Sequence, residues 1–351
     1  MKMTELKTMT FAAVALFGLT LLMPNPNANA ADAKEKSMKS RVVADQLDNP
    51  SGVAVHPKTG HVFFASRDGV HRLVPGKTGK VYDEISSYPT DVYGKGPKYN
   101  IGPLGVGFLG NDHIVVGDGS RPDGEELVRV YKISANPATQ PVAEDSAEFT
   151  LGPIEQGEDS AKGEGNFYGV AVNKAGIFIT ANGDDTKGWI LKAEVKNGKP
   201  QELKAAIATK VATGVDAPVA ITNGENGEIV VGQMGEMNVP GDSLLTVYNA
   251  KSGELLSSYE TGLSDIAGLA FSPKTGKLYA TDFSWAKPED GGLFELTTDG
   301  KDVTVKKIMS LDKPTALAFD KRGRLYITVF GSAEEGSEAN SGQLLIVPAG
   351  L

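Results

Sequence analysis

Six recurrences of one short apolar pattern, regularly spaced and each followed by further β-rich runs, predict an all-β chain folded as a six-bladed β-propeller. The pattern reads Gly52-Val53-Ala54-Val55, Gly105-Val106-Gly107-Phe108, Gly169-Val170-Ala171-Val172, Pro218-Val219-Ala220-Ile221, Gly268-Leu269-Ala270-Phe271 and Ala316-Leu317-Ala318-Phe319. Successive copies start 53, 64, 49, 50 and 48 residues apart, which is the signature of repeated supersecondary units. No stretch between copies has helical periodicity, so a (β/α)₈ barrel has nothing from which to build its outer ring. Two stacked sandwiches would account for the β content but not for the period.

Each element of a blade has its own reason. The first strands are small and apolar because all six crowd the propeller axis. A turn with loop chemistry follows, as in His56-Pro57-Lys58-Thr59-Gly60 and Ser272-Pro273-Lys274-Thr275-Gly276. The second strands are His61–Ser66, His113–Asp118, Gly176–Asn182, Glu228–Met234, Lys277–Phe283 and Arg324–Phe330. They are apolar on both faces, as strands sandwiched between neighbouring blades should be. Third strands follow at Val70–Val74, Leu127–Ile133, Trp189–Val195, Ser243–Tyr248, Gly292–Leu296 and Gln343–Val347, with looser alternation. The sixth copy stops after its third strand, while Arg41-Val42-Val43-Ala44-Asp45 precedes the first copy without a partner. Residues 41–47 are therefore expected to form the outer strand of the last blade and close the ring, leaving no open edge.

Composition narrows the chemistry. The chain has 351 residues, a net charge of −9, 42 Gly, 4 His and no Cys. Without Cys there is no disulfide, thiolate nucleophile, iron–sulfur site or Cys-ligated zinc. The acidic balance, with no basic run, argues against a nucleic-acid partner. Lys2 and Lys7, the apolar stretch Phe11–Met23 and the small-x-small sequence Ala28-Asn29-Ala30 read as a signal peptide over 1–30. Thirteen apolar residues fall short of the roughly 20 needed to cross a bilayer. The sequence thus predicts a secreted or periplasmic protein without membrane insertion, with a flexible lead-in at 31–39 and the propeller at 40–351.

In a four-stranded blade, the loop into the inner strand and the loop out of the second strand share one face, here called the upper face. Small-molecule sites favour such concave mouths. His56, His61 and His113 belong to the opposite face and His71 lies beside a third strand, so no His triad or zinc site is expected there. Strand alternation places Ser51, Leu104, Tyr168, Ala217, Ala267 and Thr315 toward the channel. Two residues earlier stand Asn49, Gly102, Asn166, Val215, Asp265 and Lys313. Second-strand exits add Arg67 with Asp68, Asp118 with Arg121, Asn182 with Asp184 and Asp185, and Asp282 with Trp285. Two loops into inner strands are long. Ser87–Pro103 carries Tyr88, Tyr93 and Tyr99 and reads as an ordered lid, while in Gly152–Phe167, rich in Glu and Gly, the stretch Gln156–Gly165 reads as mobile.

The run Gly268–Asp282, with its Ser272-Pro273-Lys274-Thr275-Gly276 turn, resembles the blade motif of the gluconolactonase/senescence-marker-protein, strictosidine-synthase-like and NHL-repeat group of six-bladed propellers. Asn49-Pro50-Ser51-Gly52-Val53-Ala54-Val55 resembles an NHL-type blade opening. For the lactonases of that group the resemblance implies a divalent cation, usually Ca²⁺, held in part by a Glu and an Asn directly before inner-strand glycines. Here those positions are Ser51 and Ala267, so the lactonase centre is expected to be absent. No cofactor is expected. A Ca²⁺ site displaced to Asn49, Asn166 and Asp265 is the alternative. The phosphate-loop and EF-hand patterns are not met either.

The functional expectation is a binding or scaffold protein, with a small molecule or protein segment at the upper mouth. Candidate ligand-binding residues are Asn49, Arg67, Tyr99, Arg121, Asn166, Tyr168, Asp265, Asp282, Trp285 and Lys313. The alternative is a divalent-cation-dependent hydrolase of the lactonase/arylesterase type, with Asp265 or Asp282 handling the water.

Overall fold

A computed structural model describes residues 39–351, apart from 77–78, 95, 185 and 334–338. Residues 1–30, read from the sequence as a signal peptide, and residues 31–38 of the expected lead-in lie outside the described residues. Six sheets follow the six copies in order. Blade 1 contains Val53–Val55, Val62–Ser66, Gly69–Val74 and Lys80–Ser86. Blade 2 contains Pro103–Leu109, His113–Asp118, Val128–Lys132 and Phe149–Leu151. Blade 3 contains Val170–Asn173, Gly176–Ala181, Trp189–Lys196 and Lys199–Ala208. Blade 4 contains Pro218–Asn223, Glu228–Gln233, Leu244–Asn249 and Leu255–Glu260, and blade 5 contains Ile266–Phe271, Leu278–Asp282, Gly292–Asp299 and Asp302–Ser310. Blade 6 contains Pro314–Phe319, Leu325–Val329 and Gly342–Val347, and Arg41–Leu47 completes it from the other end of the chain. That latch is antiparallel, with Arg41 opposite Ile346 and Leu47 opposite Gly342.

Each interface between neighbouring blades has its own apolar core. Phe63 meets Ile114 between blades 1 and 2, Val115 meets Ile177 between 2 and 3, and Phe178 meets Ile229 between 3 and 4. Leu245 meets Leu278 between 4 and 5, Tyr279 meets Leu325 between 5 and 6, and Phe64 meets Tyr326 where the ring closes. Each such side chain contributes about 1.5–3 kcal/mol by leaving water, and together they make the ring cohesive. Threonines on second strands stitch the inner strands together: Thr180 Oγ1 donates to Val219 O at 2.8 Å and Thr328 Oγ1 to Ser51 O at 2.6 Å. Close approach near the axis explains the glycine at the head of the pattern. A Cβ on Gly52 would sit 2.3 Å from Leu104 O, whose carbonyl accepts the Gly52 N–H at 2.7 Å.

Two additions were not legible in the sequence. Val142–Ala143 joins the outer edge of blade 1 as a fifth, parallel strand, with Val142 opposite Ile85. A five-residue helix, Thr209–Thr213, links blades 3 and 4.

Candidate functional site

The upper mouth is built from equivalent positions in successive blades. The residue directly after each second strand in blades 3 to 6, namely Asn182, Met234, Phe283 and Phe330, lines one cavity of about 70 Å³. Leu104, Tyr168, Ala267 and Thr315, all from the ring expected to face the channel, line the same cavity. The long loop into blade 2 forms a hairpin, Asp91–Tyr93 paired with Tyr99–Ile101, as its tyrosines suggested. It contributes Tyr93, Tyr99 and Ile101 to the lining. Tyr99 packs edge-on against Phe330, Trp285 and Phe283 with ring centroids 5.2, 5.4 and 6.2 Å away, an arrangement aromatic rings favour.

Beside this apolar chamber lies a second, wider basin of about 400 Å³, whose rim carries Asp91, Asp123, Asp216 and Glu236. The two chambers share Tyr93, Asn166, Asn182 and Met234. Asn182 Nδ2 donates to the Tyr93 hydroxyl at 2.8 Å, and Asn166 Nδ2 donates to Asp123 Oδ1 and Asn182 O, both at 3.3 Å. The amides thus tie the hairpin to blade 3 at the boundary between chambers. Behind Asp123, Glu126 is 1% exposed and accepts the Asn166 N–H at 2.7 Å. Burial, reinforced by the charge of Asp118, pushes its carboxyl up to about 10, so it stands as a neutral acid at pH 7. A Cβ on Gly165 would run into this carboxyl group, so only glycine fits there.

The other predicted residues have intramolecular partners. Asn49 holds the hairpin from below, with Nδ2 donating to Asn100 O at 2.9 Å. Arg67 pairs with Asp48, and Arg121 binds Asp118 and Glu144. Lys313 Nζ donates to Ser332 Oγ at 2.6 Å. Asp265 and Asp282 are 1% and 3% exposed, and both spend oxygens on backbone N–H groups. Of the ten candidates, Tyr99, Asn166, Tyr168 and Trp285 line the mouth; Asn49, Arg67, Arg121, Asp265, Asp282 and Lys313 line neither chamber. Ser51 is likewise turned away, donating to Leu104 O at 3.0 Å. The physical reason is local. Asn49 and Lys313 have φ of 45° and 53°, so the chain is left-handed just before these inner strands and alternation does not extend back through them, whereas Asn166, with φ 48°, still lines both chambers. In blade 5 a register shift between Ile266 and Gly268 does the same. Gln156–Gly165, read as mobile, is instead tied down: Asp159 O accepts the Trp189 indole N–H at 2.9 Å and Glu164 N donates to Ile154 O at 2.9 Å.

The lining passed over in the sequence is apolar. Met234, Phe283 and Phe330 occupy one position of the repeat, visible by superposing the six copies, but a search for polar groups selects their neighbours.

The donor set does not suit a hard cation. Such an ion wants several convergent oxygens. Asn166 points its amide N–H groups at acceptors, Asn49 does the same, and Asp265 Oδ2 accepts the Trp285 N–H. Among the described residues no group of three His, Cys, Asp or Glu side chains is placed to hold a metal.

One other cluster has suggestive distances. His71 Nε2 is 2.7 Å from Ser66 Oγ and Nδ1 is 2.9 Å from Asp83 Oδ1, the connectivity of a hydrolytic triad. Ser66, however, is 1% exposed, lines neither chamber and donates its hydroxyl to Asp68. Burial opposes charge on His71, but the carboxylates of Asp68 and Asp83 outweigh it and raise its pKa. The cluster fastens the second strand of blade 1 to the third.

No family model matches the chain, and no curated protein matches it in sequence. Solved structures do match in fold. A PQQ-bound aldose sugar dehydrogenase from Streptomyces coelicolor superposes with a TM-score of 0.60 at 15% identity, covering 89% of this chain and 99% of that one. A glucose dehydrogenase superposes with a TM-score of 0.56 at 15% identity, over 89% of this chain and 100% of that one. A gluconolactonase from Xanthomonas campestris gives 0.54 at 12% identity, over 89% and 91%. Architecture and comparisons agree that this chain is a six-bladed β-propeller.

Proposed function

We propose that the protein is an exported binding protein whose upper mouth takes a small amphipathic molecule. Its apolar, preferably aromatic, body would enter the chamber under Tyr99, and an uncharged polar or cationic head would remain in the basin. The observation carrying this reading is the junction of an aromatic-lined chamber with a carboxylate-rimmed basin through Tyr93, Asn166, Asn182 and Met234. Aromatic walls favour a flat apolar group. The field of Asp91, Asp123 and Glu236 disfavours an anion, while Asp216 is paired with Lys210 at 2.9 Å. The chamber is too small for a folded segment. Export rests on the signal-like sequence of residues 1–30.

A cation-dependent hydrolase finds support in the gluconolactonase neighbours and none in the donor set of the mouth. The test is calorimetric titration with a matched pair, phenethylamine and phenylacetate, alongside metal analysis and a lactone hydrolysis screen. The amine is expected to bind and the acid to fail, with Phe330→Ala weakening the amine at least about tenfold, a loss of about 1.4 kcal/mol. Chelator-sensitive lactone turnover with stoichiometric Ca²⁺ would replace this reading with the hydrolase one.

A further inference from the structure

Trp285 is held from a buried acid. Asp265 Oδ2 accepts the Trp285 backbone N–H, and Asp265 O accepts the Phe283 N–H at 2.9 Å. The Asp265 N–H in turn donates to Asp282 Oδ1 at 2.7 Å, which also accepts the Ser284 N–H at 3.0 Å. These bonds fix the segment 282–285 against the inner strand of blade 5. They hold it in a costly shape, because Ser284 has φ +54°, a left-handed conformation that a non-glycine residue keeps only when its surroundings enforce it. The indole passes the constraint onward: its ring lies 5.4 Å from Tyr99 and 6.0 Å from Tyr93, centroid to centroid, and its N–H faces Gly96 O at 3.4 Å.

The charges around Asp265 are unbalanced. Its second oxygen, Oδ1, is buried and has no hydrogen-bond partner. Two carboxylates face it, Asp282 from the second strand of blade 5 and Asp242 from the segment ahead of the third strand of blade 4. Glu236 acts on Asp242, and Lys307 from the outer strand of blade 5 acts on Asp282.

We propose that Asp265 is a proton-operated latch on Trp285: protonated, it keeps Trp285 and the paired strands Asp91–Tyr93 and Tyr99–Ile101 seated over the channel, and ionised, it lets them loosen. Burial, aided by Asp282 and Asp242, pushes the Asp265 carboxyl up to about 7, outweighing the Trp285 N–H bond, which by itself favours the ionised form. The sign follows. A group whose pKa is raised in the closed arrangement favours that arrangement while it keeps its proton, and the preference fades as pH rises through the raised value. Ionisation leaves an unpartnered oxygen bearing charge in a buried site, a cost relieved when the segment opens to water. The consequence for ligand access rests on the binding reading above; the latch itself does not.

The test needs no ligand. The chain has two tryptophans, and Trp189 lies in the core between blades 2 and 3, so Trp189→Phe leaves Trp285 as sole reporter. Its emission and its quenching by acrylamide are followed from about pH 5 to about pH 9, a span that brackets the titration. The expected result is a red shift and increased quenching with a midpoint at about 7. Asp265→Asn should abolish the transition, and Asp242→Asn should move its midpoint to lower pH by removing a like charge. A Trp285 signal that stays flat, or that titrates unchanged in both variants, overturns the proposal. Should Asp265→Asn fail to fold by circular dichroism, the midpoint in Asp242→Asn decides. Failure of phenethylamine to bind while this titration persists would sink the binding reading and leave the latch standing.

Discussion

Asp118 in blade 2 and Asp282 in blade 5 occupy the same place, the last residue of a second strand. Both accept the N–H of the residue two further on, Ser120 at 2.9 Å and Ser284 at 3.0 Å, an Asx-turn that aims the chain across the upper face. There the likeness stops. Asp118 also contacts Arg121 and Arg129, and both arginines continue to Glu144, so two acids meet two bases in a closed network. Asp282 instead collects three backbone N–H groups, from Ser264, Asp265 and Ser284, and has a second carboxyl group beside it. The turn needs only an acceptor. Whether its charge is matched is a separate choice, and the corner with matched charges carries structure while the unmatched one carries the aromatic residues of the mouth.

The contrast can be broken in order of expected effect. Arg129→Met leaves Asp118 and Glu144 short of a buried partner and should lower the free energy of unfolding in urea by about 3–5 kcal/mol; a loss under about 1 kcal/mol would mean that blade 2 is not held by its charges. Asp282→Ala strands backbone donors and should cost about 2 kcal/mol, with a red-shifted Trp285 emission that the blade 2 variant lacks. Asp265→Asn removes the unmatched acid. Above pH 7 it should raise stability by about 1 kcal/mol, whereas the wild type loses stability as pH climbs through about 7. Smallest is Asn49→Ala, which gives up one exposed hydrogen bond to the hairpin for about 0.5 kcal/mol and should appear mainly as faster amide exchange in Tyr99–Ile101.

The fold was legible because each blade repeats the same solution to the same problem, and six copies expose it through Gly52, Gly105, Gly169 and Gly268 at fixed places. The second strands begin and end within one residue of expectation because they are apolar on both faces. The mouth was half legible. Alternation found Leu104, Tyr168, Ala267 and Thr315, then failed at Asn49 and Lys313, where a left-handed residue rotates the chain. Asp265 and Asp282 looked like ligands because a sequence cannot reveal that both are buried and that neighbouring N–H groups have already taken the oxygens of Asp282 and one of those of Asp265. That the hairpin strand Tyr99–Ile101 brings Tyr99 onto Phe330 depends on tertiary contacts across the ring.

The latch has a consequence in time. Arg41 pairs with Ile346 and Leu47 with Gly342, so the first strand of the ring has its partner about three hundred residues later. The four core strands of each of blades 1 to 5 can form as they emerge from contiguous chain, but the circle cannot close until Gly342–Val347 is made. Contacts so distant in sequence are slow to find. Until then Arg41–Leu47 and the flank of blade 1 wait with apolar surface uncovered, and a chain cut short before residue 342 would remain an open arc.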